Sequence, residues 1–256
     1  MRALQFLLLG VLIALVPGQA LATSMGEAID RAGQQRMLSQ RIAQSYLLSM
    51  IQPDKHKGPD TMARAIRQFE TNAAVLQRFA GARPISGDLK KVLALWAGYK
   101  TLAEAPVSPG NAELLLVQSD ALLASAHAYV QALEKLSGSN KGEVVNISGR
   151  QRMLSQRIAK NYFAYYLKLG GEERIKALYE DLAEYETVLG LLEENPLNTE
   201  DIVLKLRRVS GHFAYASKGF DGLMSLTGDR LIFVITGTTD AMLKNMDDVT
   251  KMYAAL

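Results

Sequence analysis

The chain of 256 residues has no cysteine. That excludes disulfides, thiol nucleophiles and thiolate metal sites. Histidine is scarce as well. His56, His127 and His212 are the full set, and none has metal-ligand spacing. They read as surface or packed residues. Phosphate-cradling glycine loops, nucleotide fingerprints and the G-x-S-x-G nucleophile turn are missing. The acidic pairs Glu172-Glu173, Glu193-Glu194 and Asp247-Asp248 are consecutive. Neighbouring residues on a helix point about 100° apart, which is poor geometry for shared acid–base work. The expectation is therefore a protein that is not an enzyme and uses no cofactor and no metal. The formal charge of +3 is too small and too scattered for a nucleic-acid partner.

Long apolar runs are also rare. The exception is the N-terminus, where Arg2 precedes the almost wholly apolar run 6–16, Pro17-Gly18 breaks it and Ala20-Leu21-Ala22 follows. This is the grammar of a secretory signal peptide, and the run is too short to span a bilayer comfortably. Cleavage after Ala22 is expected. No later stretch reaches the roughly 18 unbroken apolar residues of a spanning helix. The mature chain is accordingly expected to be soluble and periplasmic, with secretion as the second choice.

What the sequence does have is a duplication. Residues 33–43 read GQQRMLSQRIA, and residues 149–159 read GRQRMLSQRIA. A shift of 116 also lays Phe69-Glu70-Thr71 over Tyr185-Glu186-Thr187 and Tyr46 over Tyr162. A shift of 117 lays Leu89, Val92 and Trp96 over Leu206, Val209 and Phe213. At 120, Asp120-Ala121 falls on Asp240-Ala241 and Leu123 on Leu243. Drift of this kind belongs in loops, so the matching blocks are helices of a repeated, domain-sized unit.

Hydrophobic content of 48% with 21% charged residues fits a packed fold. Breaks divide each unit into four helical segments. Ser24 with Glu27 forms a capping box that opens the first, which runs to about residue 51. Segments near 59–80 and 86–104 follow, and Ser108-Pro109 opens a fourth that ends near Gly138. A linker is expected over 137–142. The second unit is expected to hold helices at 143–169, 172–194, 200–224 and 229–255. Leu231–Thr236 is β-branched and aromatic and could form a strand by local propensity, but the repeat places it on a helix. The expected fold is all-α: two tandem four-helix up-down bundles after a cleaved signal peptide. Their boundaries are 1–22 for the signal peptide, 23–138 for the first bundle and 139–256 for the second. Side-by-side and end-to-end packing of the bundles remain open.

The repeated stretch has a chemistry of its own. On a helical wheel Gly33 lies about 60° and Gln40 about 40° from Arg36, so the three share a stripe. Arg41 lies about 140° away and serves a different surface. The second copy repeats this with Gly149, Arg152 and Gln156. If the two stripes meet across a pseudo-twofold axis, two guanidiniums that cannot lose their charge approach each other. At roughly 5 Å their repulsion costs about 3 kcal/mol at an effective dielectric near 20. A planar oxyanion between them would remove that cost and accept forked hydrogen bonds from both sides. The plainer alternative is packing: most arginines are exposed or salt-bridged, and Met37 and Gly33 suit helix contacts. Trp96 and the cluster Tyr162-Phe163-Tyr165-Tyr166 are most simply packing residues.

With the flanking Ala28-Ile29-Asp30-Arg31-Ala32 and Val144-Val145-Asn146-Ile147-Ser148, each copy resembles the P-box of the PilJ/NarX-like sensor domain. That family is found in type IV pilus chemotaxis transducers and nitrate/nitrite sensor kinases. The match is specific over about fifteen residues per copy, whose P-box pattern sets Asn before Ala-Gly and Arg before Met. The resemblance implies a four-helix ectodomain in which the arginine before methionine, here Arg36 and Arg152, grips one anion across an interface. Gly33 and Gly149 carry over as close-approach positions, and Arg41 and Arg157 as structural arginines, for example pairing with a helix-terminal acid. Asp30 departs from the pattern's Asn, which Asn146 keeps. A carboxylate there would repel an anion. Family receptors usually continue into a transmembrane helix and a signalling region, whereas this sequence shows neither after its second unit.

The expected function is a soluble periplasmic sensory protein. It would hold a small oxyanion, such as nitrate, nitrite or a small carboxylate, between the P-box arginines. It would present that state to a membrane receptor or transporter. The candidate ligand-binding residues are Arg36, Arg152, Gly33, Gly149, Gln40 and Gln156. The alternative is a structural or interaction module of envelope or pilus chemosensory machinery with no small ligand. Whether the two P-boxes pair within one chain or in a homodimer is open at this point.

Overall fold

A computed structural model describes residues 23–223 and 228–256. The proposed signal peptide and its cleavage site lie outside the described residues. Among those described, eight α-helices and no strand are present: α1 (Met25–Ile51), α2 (Lys57–Arg78), α3 (Ser86–Ala103), α4 (Pro109–Ser137), α5 (Asn140–Tyr166), α6 (Glu173–Glu193), α7 (Glu200–Leu223) and α8 (Asp229–Ala255). A short 3-10 helix, Ala80–Ile85, leads into α3 and contains Pro84.

The ends of these helices follow from their cap residues. Ser24 Oγ accepts from the Glu27 backbone N–H and opens α1. Ser108 does the same for Asn111 at the start of α4, with Pro109 as the first helical residue, where its missing N–H costs nothing. The linker expected over six residues shrinks to two. Gly138 ends α4 at a left-handed φ of 58°, and Ser139 Oγ accepts from the Gly142 N–H to open α5 at once. The β-branched run Leu231–Thr236 is helical within α8. Leu231, Ile232 and Ile235 are buried while Phe233 is exposed, the pattern of one helix face rather than of a strand.

Helices α1–α4 pack against one another, as do α5–α8, one apolar core runs through both sets, and among the described helices the most extensive contact joins α1 to α5. The bundles therefore lie side by side, with α1 also touching α8 and α4 touching α5. Each bundle carries an aromatic stack at the positions matched by the repeat. Phe69 and Trp96 stack at 3.8 Å, and Tyr185 and Phe213 at 4.9 Å.

The central pair, α1 and α5, is buried on almost every face, yet it is polar. Gln35, Arg36, Ser39, Gln40, Gln44 and Ser45 on α1 are buried, as are Gln151, Arg152, Ser155, Gln156, Lys160 and Asn161 on α5. A polar seam inside a double bundle must find its partners in the neighbouring helices. Those partners define the site.

Candidate functional site

Arg36 and Arg152 are both fully buried and meet at the α1–α5 contact. Gly33 and Gly149 make room for them. A Cβ at Gly33 would lie 3.3 Å from Nη2 of Arg152 and 3.4 Å from Nη2 of Arg36. At Gly149 the corresponding distances are 3.2 and 3.4 Å. Each glycine thus faces both guanidiniums, and any side chain there would press on both. The close approach expected of these glycines is to the arginine tips rather than to another backbone.

The surroundings of the two arginines obey the repeat in position and break it in charge. Arg36 Nη2 donates to the Asn146 carbonyl on α5 (3.2 Å), and Nη1 lies 3.1 Å from His127 Nδ1 on α4. Arg152 Nη2 donates to the Asp30 carbonyl on α1 (3.3 Å) and lies 2.7 Å from Asp30 Oδ1. Its Nη1 donates to Asp247 Oδ1 on α8 at 2.8 Å. Asp30 and Asn146 are equivalent at the shift of 116, and His127 and Asp247 at the shift of 120. One arginine therefore sits between two carboxylates. The other sits between an amide-bearing residue and an imidazole. Nε of both is buried without a hydrogen-bond partner.

The electrostatic consequences differ accordingly. Burial, and after it the charges of Arg152 and Arg150, penalise the Arg36 cation and pull its pKa from 12.5 down to about 9, with Glu134 acting the other way. Arg36 stays charged at neutral pH. Burial also penalises Arg152, but Asp30 and Asp247 outweigh it and raise its pKa. Burial and then Arg36 and Arg150 hold the His127 imidazole at about 4. The ring is thus neutral at neutral pH, and because Arg36 donates to Nδ1 its proton sits on Nε2.

A cavity of about 330 Å³ opens beside Arg36, lined by His127, Arg150, Arg157, Met153 and Leu123 among others. Arg150 donates to Glu184, and Arg157 Nε donates to Asp181 Oδ1 at 2.8 Å, so these outer arginines have acids of their own on α6. A larger space of about 640 Å³ lies at the equivalent place on the other side, lined by Asp30, Asp247, Gln34, Met37, Arg41 and Asp240.

The remaining expected residues have other employment. Gln40 Nε2 donates to the Ser119 carbonyl on α4 and to Ser39 Oγ, both at 3.0 Å. Gln156 Nε2 donates to the Thr239 carbonyl on α8 (3.4 Å), and its oxygen accepts from Arg41 (2.7 Å). Both amides thus spend donors on tying the central helices to α4 and α8. Arg41 and Arg157 do pair with acids, Arg41 with Asp240 at 2.9 Å and Arg157 with Asp181. Both acids lie within α8 and α6 rather than at the helix ends expected.

The profile of the family described as "Type IV pili methyl-accepting chemotaxis transducer N-term", PilJ, matches residues 20–122 and 135–210. The two segments cover most of the chain, and each includes one of the repeated stretches. The chain belongs to the PilJ family. Neither a curated protein nor a solved structure matches it. Among the described residues no helix is long and apolar enough to cross a membrane, and no group of His, Cys, Asp or Glu is placed to hold a metal ion. As a PilJ domain, the protein is a sensory module of the chemotaxis-transducer type.

Several residues of the PilJ site escaped the sequence reading. His127 was expected to be a surface or packed residue, and Asp247 only half of a consecutive acidic pair. They contact the two arginines instead. The shift of 120 that matches Asp120 with Asp240 also matches His127 with Asp247, so the signal was present. Asp30 was expected to repel an anion near Arg36. Its carboxylate pairs with Arg152, on the opposite side.

Proposed function

We propose that this PilJ protein is a periplasmic sensory module that binds one small oxyanion at its paired P-box arginines and offers the loaded state to a membrane receptor or transporter. The observation that carries the reading is Arg36: a fully buried guanidinium that pairs with no carboxylate among the described residues. Burying a charge is costly unless it is paired, and the hydrogen bonds to His127 and Asn146 are to neutral groups. An anion supplies the missing counter-charge through charge-assisted bonds from a donor array already fixed in place. Nitrate, nitrite and short carboxylates match the flat guanidinium fork.

Anion binding would also report itself mechanically. The guanidiniums lie where α1 of one bundle meets α5 of the other, so a ligand that screens their repulsion tightens that contact. Ligand-dependent geometry between the bundles is a form of output a partner can read. Arg152, satisfied by internal acids, serves packing, and for that half of the site the structural reading is the better one.

Titration calorimetry with nitrate, nitrite and acetate tests the proposal. Wild-type protein should release or absorb heat with at least one of them, and an Arg36→Met variant that keeps its helical circular dichroism should not. Negligible heats for all three anions with wild type would remove the reading.

A further inference from the structure

The paired-arginine reading places a ligand on the pseudo-twofold axis. The charge pattern around the two arginines favours a different location. We propose that the protein holds a single planar monoanion off that axis, in the cavity bounded by Arg36, His127 and Arg150, and that Asp30 and Asp247 are built-in substitutes for a second anion at Arg152. This rests on the proposed oxyanion function and specifies where, how many and of what charge.

Three observations carry it. The first is the correspondence of the two spaces. The cavity beside Arg36 is lined by Met153, Arg157, Leu123 and Asp120, and its counterpart by Met37, Arg41, Leu243 and Asp240. These are equivalent residues, so one ancestral niche exists twice. The second is what separates the niches. His127 in one is Asp247 in the other, Asn146 is replaced by Asp30, and Arg150 stands where the other has Gln34. All three differences make the Arg36 niche more positive. The third is occupancy from within. Asp247 Oδ1 and Asp30 Oδ1 lie 2.8 and 2.7 Å from Arg152 nitrogens, the distances an oxyanion would take. Among the described residues no carboxylate does this for Arg36. Its Nε is buried and unpartnered, and the guanidinium borders the open cavity.

The charge of the guest follows. Arg150 and Arg157 are matched by Glu184 and Asp181. Asp120, the acid at the cavity edge, is engaged by Lys160 and Arg174. Glu134 binds the Asn146 amide rather than Arg36. Among the described residues Arg36 is the cation at this cavity that has no carboxylate within ion-pair distance. A monoanion matches that one guanidinium, whereas a dianion brings a second negative charge close to Glu184 and Asp120. Arg36, His127 and Arg150 line the niche on its polar side, while Leu123 and Met153 give it apolar walls. This suits a small planar monoanion such as nitrate or acetate better than sulfate.

The test exchanges the two niches. Calorimetry of wild type should give one nitrate per chain, with sulfate weaker by about tenfold or more. His127→Asp copies the internal carboxylate into the Arg36 niche and should lower nitrate affinity by about tenfold or more. Asp30→Asn with Asp247→His opens the other niche and should raise the stoichiometry to two. Proton–nitrogen NMR of wild type, which needs no refolded variant, should show nitrate shifting the His127 ring and Arg36 side-chain signals while those of Arg152 stay put. If Arg36→Met abolishes nitrate binding but His127→Asp binds like wild type, or if Arg152 signals shift as much as those of Arg36, the anion sits on the axis. The off-axis seat then falls while the oxyanion function stands. If wild type binds no anion at all, both fall together.

Discussion

Arg36 and Arg152 occupy equivalent positions, face the same pair of glycines and are equally buried, yet they are held in opposite ways. Arg152 is clamped by two carboxylates, one from its own bundle and one from the other. Arg36 is held by a histidine nitrogen and a backbone carbonyl. A symmetric homodimer cannot make this distinction, because every substitution near its axis appears twice. A tandem duplication can place an acid beside one arginine and leave the other unpaired. The difference teaches that equivalent arginines need not share one role: ion pairs from Arg152 tie α5 to α1 and α8, and on the proposed reading the Arg36 half accepts charge from a ligand.

The sharpest way to break this comparison is to delete each arginine. Arg152→Met leaves Asp30 and Asp247 without their buried partner, and losing one side of a buried ion pair typically costs about 3–5 kcal/mol. Arg36→Met removes a cation that has no acid and replaces it with an apolar group of similar length. Its cost should stay within about 1 kcal/mol, or be negative, in anion-free buffer. Urea denaturation of both variants checks this. Equal losses would mean that the halves are held alike.

Acid separates the halves more gently. Burial raises the Asp247 pKa, but Arg152 and Lys251 outweigh it, and the folded value lies below the ordinary 3.8. A carboxylate with a depressed folded pKa stabilises above its unfolded value, and that contribution disappears as pH falls through the folded pKa. Asp247→Asn should therefore cost about 1–3 kcal/mol at pH 7. Its stability should converge with that of wild type once the pH drops below 3.8. The Arg36 half responds in an earlier window. His127 has its folded pKa at about 4 against an ordinary 6.5. Protonation favours the unfolded chain, so wild type should lose stability steadily from pH 6.5 down to about 4. Arg36, Arg150 and Arg157 oppose the extra proton there, and Glu184 partly offsets them. His127→Gln should flatten that slope and leave the lower window unchanged. The effect is smaller than that at Asp247, since the ring is only half-buried. Thermal melts across pH measure both.

Much of this arrangement was legible beforehand. The duplication and the approximate helix limits follow from residues repeated at fixed spacing, because helices conserve register and loops absorb drift. The sequence singled out Arg36 and Arg152 as equivalent positions but left open whether they meet within one chain, and it marked Trp96 only as a packing residue. What stayed hidden was the third helix in each contact. A wheel drawn for α1 alone assigns Arg36 and Gln40 to one stripe. It cannot say that α4 supplies His127 to the arginine and the Ser119 carbonyl to the glutamine. The asymmetry was hidden for another reason. A repeat draws attention to what agrees, while the two arginines differ through positions where the copies disagree: Asp30 against Asn146, His127 against Asp247 and Gln34 against Arg150. The side-by-side arrangement depends on the α1–α5 interface, which periodicity within one helix does not specify.

A last effect concerns the bundles away from the seam. The first stacks Phe69 on Trp96 with an interplanar angle of 11°, and the second stacks Tyr185 on Phe213 at 15°. Trp96→Phe gives the first bundle a phenyl partner like that of the second. The lost ring is largely buried, and part of its packing against Tyr99 goes with it. A loss of about 1–2 kcal/mol is expected from the vacated volume and the weaker stack. Trp96 is the single tryptophan, so wild-type fluorescence follows the first bundle while circular dichroism follows both. The two denaturation curves should coincide if the α1–α5 contact makes the bundles one cooperative unit. They should separate in Arg152→Met, because that substitution strips the ion pairs from the contact. Coincident curves in that variant would mean that apolar packing between α1 and α5, rather than the charged half of the seam, couples the bundles.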